Sequence, residues 1–189
     1  MLNDILTFLK NSLNSYLSSG VVHVGAQEDQ VNFVNGESME PLSFKLNALS
    51  LLLINLEQEN VLHPPNIYER ALTDGSVKKV HPEIRLNLYV LFVSHYAQYE
   101  DSLRNLSQVI GYFQNHRVFT HQNSPQLSEN IDQLIVELKT LSLSEQKEIW
   151  DYLHLPYHPS ALYRVKMAVF RDDAARAMPA ITEISIKVS

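Results

Sequence analysis

The sequence predicts an α+β domain, a mostly antiparallel sheet of five or six strands with two or three helices packed on it. Three observations carry that prediction. Apolar residues recur at helical spacing in three stretches, they alternate or fill both phases in several others, and 189 residues suit one domain spanning 1–189. A chain of this size buries roughly 70% of its unfolded surface, so a hydrophobic core alone can hold it. It must, because there is no cysteine. That excludes a disulfide framework and cysteine-liganded zinc or iron–sulfur centres, and it fits a reducing compartment.

The first helix is marked by Ile5, Leu6, Leu9, Leu13, Tyr16 and Leu17, with Asn3 or Asp4 as caps and Gly20 as the stop. The stretch lacks the basic start, unbroken apolar core and small-residue cleavage site of a secretory signal, so it reads as a mature helix. "VVHVG" and "VNFV" are short strand-like pieces around the polar "AQEDQ", suited to a small hairpin or an irregular edge. From Asn47 to Leu56 both phases are apolar, which predicts a strand covered on both sides. Residues 58–83 contain Pro64, Pro65, Gly75 and Pro82 without periodicity and read as a long loop, a length rare in a compact domain unless disordered or functional.

Leu86, Leu88, Val90 and Phe92 then alternate with the largely apolar Asn87, Tyr89, Leu91 and Val93, a second two-sided strand. At Tyr99 the period changes. Tyr99, Leu103, Leu106, Val109, Ile110 and Phe113 form one helical stripe, with Glu100 and Asp101 at its positive end. "IDQLIVELKTL" presents Leu134, Val136 and Leu138 on one strand face, and Ser142 with Glu145 has the capping-box spacing for the helix "SEQKEIWDYL". Pro156 and Pro159 end that helix, "ALYRVKMAVF" is the next strand, and "ITEISIKV" is a last alternating piece.

Chemistry is scarce. Five glycines and no GxGxxG, GxxxxGK[ST] or GxSxG leave no phosphate cradle or nucleophile elbow. The net charge of −6, with no basic cluster beyond Lys78 and Lys79, argues against nucleic acid. The longest apolar run, "LSLLLINL", is far short of the ~20 residues that span a bilayer. His116 and His121 flank a short loop, and His154 and His158 stand four apart like helical zinc ligands. Pro156 breaks the helix that would align the second pair, and no HExxH supplies a base, so these read as surface or turn histidines. A small metal-dependent enzyme built on them is the alternative of a different class. Trp150 reads as a core anchor. Asp172 and Asp173 look like turn residues. Lys78 and Lys79 form a local basic turn, either solvated or touching an acidic partner. Ile181, Ile184, Ile186 and Val188 mark an edge strand at 181–188 that either completes its own sheet or pairs with another chain.

Four segments in order, "LNDILTFLKNSLNSYL", "LSLLLINLEQE", "LNLYVLFVSHYAQYEDSLRNLSQVIGYFQNHRVFT" and "LIVELKTLSLSEQKEIWDYLHLPYHPSALYRVKM", resemble the cap proteins of contractile injection systems. These are the tube and sheath terminators of phage-tail-like particles. "LHLPYHPSALY" departs from them, since relatives more often have glycine after the helix and fewer prolines, and 58–83 matches nothing in the family. The resemblance implies a fold similar to phage tail terminators and a structural protein with no active site and no cofactor. It implies a homohexamer that ends the inner tube and anchors the last sheath ring, with the tube and sheath proteins as partners. It also implies a protein cytoplasmic on synthesis, then part of the particle. A tail-completion protein of a free phage shares this physics and differs only in partner.

Overall fold

The computed structural model describes residues 2–19, 29–34, 42–59, 69–71, 77–79 and 85–167. Helix α1 (Leu2–Ser19) is followed by strands β1 (Val31–Phe33), β2 (Ala48–Gln58), β3 (Glu69–Ala71), β4 (Val77–Lys79) and β5 (Leu86–His95). Then come α2 (Tyr99–Asn115), β6 (Val118–Thr120), β7 (Gln133–Leu138), α3 (Leu143–Leu153) and β8 (Ser160–Met167). The main sheet has six strands in the order β1-β2-β5-β8-β7-β6. Among the described residues only the β1–β2 pair is parallel. The expected α+β class, a mostly antiparallel sheet with two or three helices on it, is what the chain adopts, with three helices among the described residues.

Helices lie on both faces. Leu88, Val90 and Phe92 of β5 point into a large apolar cluster with Ile5, Leu9 and Leu13 of α1 and Val109 and Phe113 of α2. Leu91 and Val93, in the opposite phase, join Leu162, Phe44 and Trp150 under α3. This explains the apolar character of β5 in both phases, since a central strand covered twice has no solvent side. β2 meets the same demand only in its first half. Ala48, Leu49 and Leu51 are buried, the register shifts between Leu53 and Asn55, and residues 55–58 emerge into solvent. The predicted two-sided cover of 47–56 is therefore true of its start alone.

The predicted stripe of α2 faces the core over Leu106, Val109, Ile110 and Phe113, joined by Ser102 and Tyr112, whereas in its first turn Tyr99 is 62% exposed and Leu103 also faces out. At this first turn Ser102 points inward instead, its hydroxyl accepting the Tyr96 N–H at 3.1 Å. In β7, Leu134 and Val136 are buried but Leu138 is 53% exposed, because the neighbouring strand β6 covers only its first half. α3 carries the predicted capping box: Ser142 Oγ accepts from Glu145 N–H and Glu145 accepts from Ser142 N–H at 2.7 Å. It ends at His154 in the left-handed region with φ 53°, one residue before the Leu155–Pro156 pair.

Within 58–83, β3 and β4 pair antiparallel as a separate two-stranded sheet. "VVHVG", Gly20, Asp172, Asp173 and the alternating piece 181–188 lie outside the described residues.

Candidate interaction surfaces

The histidines have separate structural engagements. His116 follows α2, stacks on Tyr112 at 4.5 Å, and its Nδ1 lies 3.0 Å from Tyr112 O. His121 is exposed in the turn after β6, and His154 is the exposed C-cap of α3. His158 packs against His95 at 4.6 Å between ring centroids, and against Phe44 and Trp150. Burial first, and then the neighbouring His95, push the His158 pKa down, which keeps its ring neutral. Among the described residues no three His, Asp or Glu side chains converge on a metal position. Trp150 is buried on the sheet-facing side of α3, as its core-anchor reading expects.

Three surface features remain, all on or beside the sheet. The first is a charged ladder on the α3 face, beyond the reach of the helix. Register places Tyr89 beside Arg164 and Arg164 beside Glu137. Arg164 donates from Nε at 3.2 Å and from a terminal nitrogen at 2.6 Å to Glu137 Oε2, and Lys166 donates to Oε1 at 3.1 Å. Tyr89 donates to Glu57 at 2.8 Å. The Arg164 hydrogen bonds hold the Glu137 carboxyl below the usual carboxylate range, with Lys166 adding to the effect. Sequence reading missed this ladder because each strand contributes one or two polar residues. The available signal was Arg164 and Lys166 in phase between Tyr163, Val165 and Met167.

The second is a groove of about 450 Å³ between α3 and the exposed half of β2, with Ile54, Leu141 and Ile149 among its apolar lining and Glu57, Glu145 and Glu148 among its polar lining. The third is an asymmetry between the two edges of the sheet. At β1, Asn14 of α1 accepts the Val31 N–H through Oδ1 at 2.8 Å and donates Nδ2 to Val31 O at 3.0 Å, so a side chain occupies the outer edge. At β7, Val136 N–H donates to Arg117 O and Lys139 N–H donates to Leu162 O of β8, both at 2.8 Å. Leu138 therefore turns its backbone away from β8, past the start of β6, beside a groove of about 400 Å³ lined by Ile110, Phe113, Gln114 and Arg117.

Of the residues singled out in the sequence, Lys78 and Lys79 lie on β4, opposite Arg70 and Glu69 of β3. Ile181, Ile184, Ile186 and Val188 lie outside the described residues.

Comparison with known proteins adds three findings. The family model of the Pvc16 N-terminal domain matches residues 4–183. Among solved structures, the PVC sheath/tube terminator of an extracellular contractile injection system, in its extended state, superposes with a TM-score of 0.58 at 16% identity, covering 100% of this chain. The chain spans 64% of that terminator's length. The tube-terminating cap of the anti-feeding prophage superposes with a TM-score of 0.49 at 15% identity, covering 75% of this chain and 49% of that one. No curated protein matches the chain. With its sequence matched almost throughout, the chain belongs to the Pvc16 N-terminal domain family, and it shares its fold with a sheath/tube terminator.

Proposed function

We propose that this protein is a structural cap of a contractile injection system, ending the inner tube and anchoring the last sheath ring as a homohexameric ring. The observation that carries this reading is the family match over residues 4–183, on a fold that a sheath/tube terminator also has. Its partners are a further copy of itself, the inner tube protein and the sheath protein. It acts by binding and not by catalysis. It is made in the cytoplasm and then built into the particle. Among the described residues no helix is long and apolar enough to cross a membrane.

The physical features support such a part. A ring requires heterologous contacts, in which one surface of a subunit meets a different surface of the next. A sheet clad by helices on both faces is a stiff body, and the end of β7 past β6, the charged ladder and the α3 groove are distinct surfaces with which to engage neighbours. Residues Ile181 to Val188 take part in strand pairing with the sheath. Replacing Ile184 and Ile186 with lysine is expected to abolish sheath attachment without unfolding the body; normal sheath retention would remove that assignment.

The reading as a whole is tested by the solution mass of the purified chain, alone and with the tube protein from its own gene neighbourhood. A sixfold assembly, spontaneous or induced by tube, is the expected result. A monomer indifferent to tube would overturn it.

A further inference from the structure

Two surface features of the chain match in shape and are opposite in charge. Tyr152, in the last turn of α3, stands 80% exposed. Tyrosine is enriched where proteins meet, because its ring covers much apolar area while fixing few rotamers. Glu148, four residues earlier, shares its helix face and is exposed too, so the ring projects beside a carboxylate. Asp151, its chain neighbour, is already paired with Lys147.

The second feature is the hollow of about 400 Å³ at the end of β7. Its floor is apolar, made by Ile110 and Phe113 of α2 with Val136 and Tyr163 of the sheet, and Leu138 stands 53% exposed at its side. An aromatic ring seated there would take apolar surface of both partners out of water. Arg117 is the exposed cation of this hollow. The carboxylate beside it, Glu137, is held by Arg164 and Lys166, so Arg117 sets the sign of the rim. Neither Arg117 nor Glu148 is in an ion pair among the described residues.

Ring and hollow lie on opposite faces of the sheet, Tyr152 on the α3 side and the hollow on the α2 side. One chain therefore cannot fill its own hollow. We propose that Tyr152 of one copy inserts into the β7 hollow of a second copy, with Glu148 against Arg117. The proposal rests on the cap reading in so far as that reading sets copies side by side. The contact joins two different surfaces of the same chain, so it repeats from copy to copy, as a ring requires.

Charge exchange in the full chain tests this, read as solution mass against concentration, alone and with tube protein. R117E and E148R are each expected to weaken self-association about tenfold, equivalent to about 1.4 kcal/mol. An equimolar mixture of the two is expected to restore it, because the like charges that meet within either variant become opposite charges between them. Y152A is expected to weaken association about thirtyfold, as loss of a central aromatic anchor does. Its denaturant midpoint should not move, since the side chain is exposed. Association unchanged in all three variants would overturn the proposal, and such a chain that still ends tubes keeps the cap reading. Single variants that dissociate without rescue in the mixture would overturn it too, since the two charges then do not meet. Rescue by the mixture in a chain that ignores tube keeps the contact and loses the cap reading. Variants that self-associate normally but fail on tube would overturn the contact and reassign Tyr152 to the tube protein.

Discussion

The face of the sheet under α1 and α2 is apolar from β1 to β6, whereas the face under α3 is apolar only beneath the helix and charged beyond it. Both faces belong to the same strands, so the difference lies in one phase of each. In β8 the inward phase is Ala161, Tyr163, Val165 and Met167, and the outward phase is Leu162, Arg164 and Lys166. The contrast shows how one sheet serves two ends. One face supplies the cohesion of the body, and the other keeps a charged strip in contact with solvent.

The sharpest way to break this contrast is to open a cavity on the cohesive face. Phe92 is fully buried and packs against both Phe113, with ring centroids 5.4 Å apart, and Tyr163 at 5.7 Å. Phe92→Ala is expected to cost about 3–5 kcal/mol, read as a loss of denaturant midpoint over the whole chain. Trp150→Ala on the other face removes the anchor of a much smaller cluster, and about 3 kcal/mol is expected. Hydrogen exchange then separates the two faces, because protection should fall first in α3 and survive in α1. Equal loss of protection throughout would show that the faces form one cooperative unit.

Ser142→Ala removes the capping box of α3 and should cost about 1 kcal/mol in the same denaturation measurement.

Acid should also act on the α3 face first. The folded pKa of His158 lies below its ordinary 6.5 because of burial and then His95, so the unfolded chain binds the proton more readily. Stability is therefore complete above about pH 6.5, and it falls as pH drops from there towards the depressed folded value. His158→Phe should flatten that part of the stability profile, and an unchanged slope between pH 6.5 and 5 would exclude this group as its source.

The smallest effect is expected from the ladder. Arg164, Lys166 and Glu137 are each about a third exposed, and Glu137→Gln should cost less than about 1 kcal/mol and lose even that at high salt. A larger effect on assembly than on stability would mark the strip as a contact surface.

Much of this architecture was legible in the residues. The two-phase apolarity of β5 announced a strand between two layers, and the Ser142 to Glu145 spacing announced the start of α3 to the residue. Periodicity found the core stripe of α2 from Leu106 to Phe113 but not its first turn, where Ser102 points inward and accepts the Tyr96 N–H, a contact local in space and silent in hydropathy. Nor could it expose Leu138, whose environment is decided by where β6 ends. The surfaces were least legible of all. Lys78 and Lys79 stood out as the basic pair of an acidic chain, but the groove is assembled from β2, β5, α3 and β8, and no single segment carries its pattern.

The pair of hydrogen bonds between Asn14 and Val31 closes one flank of the sheet. A strand arriving from outside cannot be added at β1 unless it first displaces an amide that already fills both backbone positions there. The flank is thus closed by a residue of the chain's own first helix, at the cost of no further strand.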